Sequence, residues 1–188
     1  DDFSVGLGFF EQNPSTFPDG LRALSDYVRG TGMKFGLWFE FERVDTRTAN
    51  RGRTPWKPSW LLHRGGHAYR SWCQHLFLFC LGSREAADWA RENITRAIGE
   101  YGVEWMKIDG NEYAFCEDAS HGHGERDGDW HQTLGLYRVM DGVMERSPGL
   151  IVENCAGGSQ RADFGMARRS HVLQTNDIMV LSAIVRQY

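Results

Sequence analysis

The chain has 188 residues, 41% hydrophobic and 24% charged, a composition that supports one domain with an ordinary core and argues against collagen-like, disordered and membrane classes. Its 21 Lys and Arg against 25 Asp and Glu give a formal charge of −4, so no basic field draws nucleic acid or an anionic membrane surface. The 13% aromatic content, with seven Trp, suits stacking surfaces such as carbohydrate sites and equally suits a core. Along the chain, residues 19–31 place Leu21, Leu24 and Val28 at helical spacing, with Gly30 and Gly32 as stop signals. Met33 to Phe39 reads as a buried strand. The apolar run Leu76 to Leu81 reads as a second, followed by a helix that Ser83 can cap and whose apolar face is Ala86, Trp89, Ala90, Ile94, Ala97 and Ile98. Val103 to Ile108 is a third strand, and residues 130–146 form a helix with Leu136, Val139, Met140 and Val143 on one face, ended by Pro148-Gly149. Leu150 to Val152 is a fourth strand, residues 160–169 a short helix and Val172 to Thr175 a fifth strand, with a further helix expected from Ile178.

Strands apolar on both faces, alternating with amphipathic helices, predict a parallel sheet covered by helices. Neither G-x-G-x-x-G nor G-x-x-x-x-G-K-[ST] follows a strand, so nucleotide-binding open sheets lack their phosphate loops here. Polar residues gather instead where strands end: Glu40 and Glu42, Asp109 and Asn111, Glu153 and Asn154, Asn176 and Asp177. That distribution fits a (β/α)₈ TIM barrel, whose catalytic residues come from the C-terminal ends of several strands. Such a barrel takes about 250 residues, so five strands in this length predict most of one barrel and no second domain. The start at Asp1 and the end at Tyr188, directly after an apolar stretch, fit a chain cut from a longer protein.

The strongest local signal is Trp105-Met106-Lys107-Ile108-Asp109-Gly110-Asn111. Strand alternation puts Trp105, Lys107, Asp109 and Asn111 on one face and turns Met106 and Ile108 towards the covering helices. A lysine and a carboxylate in an interior are costly unless satisfied, which favours a site over a structural ion pair at the sheet's end. Asp177, in Gln174-Thr175-Asn176-Asp177, reads on its own as an N-cap for the helix after it. As a partner of Asp109 it would complete a retaining glycosidase pair, one carboxylate attacking the anomeric carbon and the other protonating the leaving oxygen. In that division Lys107 keeps Asp109 ionised, while burial and the second carboxylate raise Asp177 so that it starts protonated. Glu153-Asn154-Cys155-Ala156-Gly157-Gly158 permits close approach of backbone to ligand or simply makes a turn, and the residues leave both open. Trp38 with Glu40 and Glu42 offers a stacking indole and two acids, or a core Trp beside solvated acids.

Several histidines are candidate metal ligands. His63 and His67 stand at i, i+4, but Gly65-Gly66 between them disfavours a helix; His121 and His123 lie in a polar stretch with Glu117, Asp118 and Asp127. Nothing in the sequence fixes a tetrahedral set, so they read as an accidental surface loop and not as a metal site. The four cysteines at 73, 80, 116 and 155 show no C-x-x-C spacing, which favours a reducing, cytoplasmic setting. No apolar stretch is long enough to span a bilayer, and residues 1–20 carry no basic and apolar leader.

F-P-D-G-L at 17–21, G-M-K-F-G-L-W-F-E at 32–40, W-M-K-I-D-G-N at 105–111, E-N-C-A-G-G at 153–158 and Q-T-N-D at 174–177 resemble, in this order, glycoside hydrolase family 36, the melibiase-type α-galactosidases. The resemblance implies a (β/α)₈ catalytic barrel of which this chain holds the second to sixth strands, cleavage of α-galactosides with retention, and no metal or organic cofactor. It implies Asp109 as nucleophile, Asp177 as acid/base, Lys107 and Asn111 as sugar-binding residues, and Trp38, Cys155, Gly157 and Gly158 as lining of the galactose pocket. The expected partner is an α-galactoside or related oligosaccharide, with no nucleic acid or membrane, and a homo-oligomer of the full-length protein is left open. Three departures bear on sugar specificity: Phe41 replaces a family proline, Gln174 a Trp, and Gln74 a sugar-binding Arg. They keep an α-N-acetylgalactosaminidase, a galactosyl transglycosylase and a non-catalytic sugar-binding barrel as alternatives.

Overall fold

The computed structural model describes residues 6–48, 56–72 and 75–177. In chain order these form α1 (Gly20–Gly30), β1 (Gly36–Phe39), β2 (Arg43–Asp45), β3 (His63–Arg64), β4 (His67–Ala68), β5 (Leu76–Leu78), α2 (Arg84–Tyr101), β6 (Trp105–Ile108), α3 (Gly128–Arg146), β7 (Ile151–Asn154) and β8 (Val172–Leu173). Strands β1, β6, β7 and β8 are neighbours in that order and all pair parallel. Parallel neighbours need long crossovers, and α2 leads into β6 while α3 carries the chain from β6 to β7. The register sets Trp38, Lys107 and Glu153 side by side, with Phe39, Ile108 and Asn154 one residue on.

Alternation along β6 does what the sequence predicts. Met106 and Ile108 are 0% and 2% exposed, in one core with Ala90, Ile94 and Ala97 of α2 and Val139, Met140 and Val143 of α3. Trp105 and Lys107 stand on the opposite, half-buried face. Gly102 ends α2 in the left-handed region at φ 69°, where a side chain would also crowd the Ser25 hydroxyl of α1. Gly135 lets α3 lie directly on the end of the β5 run, since a Cβ there would stand 2.0 Å from the Leu81 carbonyl oxygen.

The run Leu76 to Leu81 does not join the parallel sheet. Leu76–Leu78 pairs antiparallel with Arg43–Asp45 in a separate two-stranded sheet, so four described strands, not five, make up the parallel sheet. Both faces of the run are nonetheless buried: Phe79 and Leu81 lie in the main core, Leu78 and Cys80 in a second cluster with Leu62, Ala114 and Cys116. Burial on both faces writes the same apolar run for either direction of pairing, and the polar partner Arg43-Val44-Asp45 carries no strand pattern.

Smaller differences have local causes. The first strand covers only Gly36–Phe39 and is not buried throughout, because among the described residues only one of its edges is paired. Met33, expected inside it, is 61% exposed, and Leu24 of α1 is 40% exposed. Ser83 precedes α2 without a side-chain capping bond. The short helix is confined to Phe164–Ala167, and the last strand to Val172–Leu173. Gly65 and Gly66, at φ 59° and 77°, make the tight turn between β3 and β4. The helix expected from Ile178 lies outside the described residues. Among those described, no helix is long and apolar enough to cross a membrane.

Candidate active site

Asp109 follows β6 and accepts four hydrogen bonds. Its Oδ1 takes the backbone N–H of Gly110 at 2.9 Å and of Gly157 at 3.0 Å. Its Oδ2 takes Asn111 Nδ2 at 3.1 Å and Trp38 Nε1 at 3.3 Å. Burial pushes this carboxyl up, but the donors from Gly157, Asn111, Gly110 and Trp38 together outweigh it and hold Asp109 below the ordinary aspartate value. Four of the expected site residues, Trp38, Asp109, Asn111 and Gly157, thus meet at one carboxylate.

The turn after β7 reaches the second carboxylate. Ala156, Gly157, Gly158 and Ser159 all have positive φ, at 53°, 57°, 71° and 86°, a left-handed turn that two glycines make tolerable. Gly157 thereby points its N–H at Asp109, and Gly158 packs so closely on the far strand end that a Cβ would stand 2.5 Å from Asp177 N. Cys155 Sγ donates to Asp177 Oδ1 at 3.7 Å. Burial pushes the Cys155 thiol up against a lowering bond from Gly158, and the charges of Asp109 and Asp177 add to the rise. One short turn therefore touches both expected carboxylates, and its glycines serve close approach as well as chain reversal. Non-Gly residues in this region cost on the order of 1–3 kcal/mol each, which is the kind of strain that gathers at functional sites.

Lys107 stands on the expected face but does not hold Asp109 ionised. Its ammonium lies 3.4 Å from Glu153 Oε1 and is hydrogen-bonded by Gln174 Oε1, while Glu153 also takes Trp105 Nε1 at 2.8 Å. Gln174 in turn donates Nε2 to Asp177 Oδ1. Hydrogen bonds rather than Lys107 hold Asp109 down, and Lys107 reaches the Asp177 side through Gln174.

Beneath this face lies a layer of buried charge. Glu40 and Glu42 are 0% and 5% exposed, so they are not solvated acids, and Trp38, at 38% exposed, is not a core residue. Glu40 pairs with Arg43, and burial outweighs that arginine to push its carboxyl up. Glu42 takes both terminal nitrogens of Arg161, with Nη2 to Oε2 at 3.0 Å. Arg161 went unnoticed in the sequence because it sits in a stretch read only as a short helix. Its place is set by Gly110, where a Cβ would stand 2.7 Å from the guanidinium, so this pair underpins the backbone that carries Asp109.

His121 and His123, expected on a surface loop, are instead 7% exposed each and lie with Cys80 and Cys116, the one described grouping of four metal-ligating side chains.

The Melibiase family model matches residues 1–186. The chain belongs to the Melibiase family. Among curated relatives, the alpha-galactosidase of Escherichia coli is 28% identical over 176 residues, 94% of this chain and 24% of that protein. A probable alpha-galactosidase C of Aspergillus flavus is 31% identical over 183 residues, 93% of this chain and 23% of that protein. Among solved structures, a variant of the GH36 alpha-galactosidase AgaA from Geobacillus stearothermophilus, in complex with stachyose, matches with a TM-score of 0.80 at 27% identity, covering 94% of this chain and 24% of that one. This Melibiase chain thus spans about a quarter of the length of these relatives. Of its departures from the family pattern, Phe41 is 1% exposed in the core, Gln174 bridges Lys107 and Asp177, and Gln74 lies outside the described residues.

Proposed function

We propose that residues 1–188 are the central part of the (β/α)₈ catalytic barrel of a retaining α-galactosidase. The observation that carries this reading is the single turn at 155–158, which donates a backbone N–H to Asp109 and packs against Asp177. In the first step Asp109, held ionised, attacks the anomeric carbon, and the leaving glycosidic oxygen takes the proton of Asp177. The product is a galactosyl ester on Asp109. In the second step the Asp177 carboxylate takes a proton from water as that water attacks the anomeric carbon, and Asp109 leaves as the carboxylate. Asn111 and Trp38 orient the nucleophile, Lys107 and Gln174 lie on the acid/base side, and Trp38, Cys155, Gly157 and Gly158 line the sugar pocket. The stachyose bound to the AgaA variant supports an oligosaccharide of that type as substrate.

The test is the anomer released from a nitrophenyl α-galactoside by the complete protein that carries this chain, followed by proton NMR. α-Galactose appearing first is the expected result; β-galactose first contradicts the double displacement. Preferred cleavage of an α-N-acetylgalactosaminide, or binding of galactosides without turnover, would overturn the galactosidase assignment.

A further inference from the structure

Four side chains that the glycosidase reading does not use meet beside the sheet. Cys80 lies just beyond β5, Cys116 lies between β6 and α3, and His121 and His123 flank Gly122. Gly122 is left-handed at φ 85°, which turns the chain between the two imidazoles. Cys80 Sγ is 3.3 Å from His123 Nε2, and Cys116 Sγ is 3.3 Å from His121 Nδ1. All four atoms lie within 4.8 Å of one another. A tetrahedral zinc ion, with Zn–S of about 2.3 Å and Zn–N of about 2.0–2.1 Å, sets sulfur and nitrogen about 3.5 Å apart, close to the two spacings found.

The outer contacts select the right tautomers. His121 Nε2 lies 2.8 Å from the Ser59 carbonyl oxygen and His123 Nδ1 2.7 Å from that of Gly124. A carbonyl only accepts, so those nitrogens carry the protons, and the lone pairs of His121 Nδ1 and His123 Nε2 face the sulfurs. Asp118 Oδ2 lies 3.7 Å from the same His121 Nε2, outside the cluster. Both cysteines are 0% exposed and share an apolar shell with Leu62, Leu78 and Ala114. Gly82 leaves the room required, since a Cβ there would stand 2.7 Å from the His123 ring.

We propose that Cys80, Cys116, His121 and His123 bind one structural zinc ion. Two thiolates neutralise the divalent cation, so the buried cluster carries no net charge, and both thiol protons leave to solvent as the metal enters. Four protein ligands leave no position for water or substrate, which makes the site structural and not catalytic. It fastens the end of β5 to the segment that leaves β6 at Asp109, and it stands whether or not Asp109 is a nucleophile.

The test is zinc content of the complete protein, purified without added metal, by plasma mass spectrometry and X-ray absorption. One zinc per chain with a mixed sulfur and nitrogen shell is expected, and one fewer zinc in Cys116→Ser. Cobalt added to the chelated wild-type protein should give thiolate charge-transfer and tetrahedral d–d bands, a readout that needs no variant to fold. Metal-free protein whose cobalt titration shows neither band would overturn the site, as would zinc held by oxygen ligands alone.

Discussion

At Asp109 four hydrogen-bond donors, and not the neighbouring Lys107, hold the carboxyl below its ordinary value. Alternation along β6 correctly separated Lys107 and Asp109 from Met106 and Ile108, because a period of two is written in the residues themselves. Which donor reaches which oxygen was not legible: the Gly157 N–H arrives from 48 residues away, and Lys107 is drawn off by Glu153 and Gln174. The direction of the shift has a consequence in pH. A carboxyl held below its ordinary value contributes stability above that value and loses the contribution as pH falls through the lowered one. Trp38→Phe removes one of the four donors, so the acid limb of the kcat/KM profile should move up, towards the ordinary aspartate value of 3.8. An acid limb that stays in place would show that the indole N–H does not act on Asp109.

Among the elements, α2, α3 and the strands that follow them were readable because each carries an uninterrupted period. The Leu76–Leu81 run was misplaced because an apolar stretch specifies burial and not the direction of pairing. Neither buried polar cluster could be read from spacing. Glu42 and Arg161 are 119 residues apart, and Cys80 and Cys116 come from different segments, joined by the fold alone. The Glu42–Arg161 pair has side chains only 6% and 8% exposed, so removing one partner strands the other charge. Arg161→Met should lower stability by about 3–5 kcal/mol, read as a lower urea midpoint with unchanged m-value. A loss under about 1 kcal/mol, the range of exposed pairs, would mean that water reaches Glu42 once the arginine is gone.

For the whole molecule, the barrel reading makes β1 and β8, the end strands of the described parallel sheet, interior strands of a closed structure. Exposed parallel edges invite pairing with other chains. The isolated 188-residue chain should therefore self-associate in light scattering coupled to gel filtration and fail to hydrolyse a nitrophenyl α-galactoside. A monodisperse, cooperatively melting monomer would contradict that reading. The central claim, that Asp109 is the nucleophile of a retaining α-galactosidase, is tested most directly by chemical rescue in the complete protein. Asp109→Ala should abolish turnover of a nitrophenyl α-galactoside, and azide should restore it by taking the vacated position and yielding β-galactosyl azide. Wild-type-like turnover in Asp109→Ala, or rescue that yields the α-azide, would contradict the account.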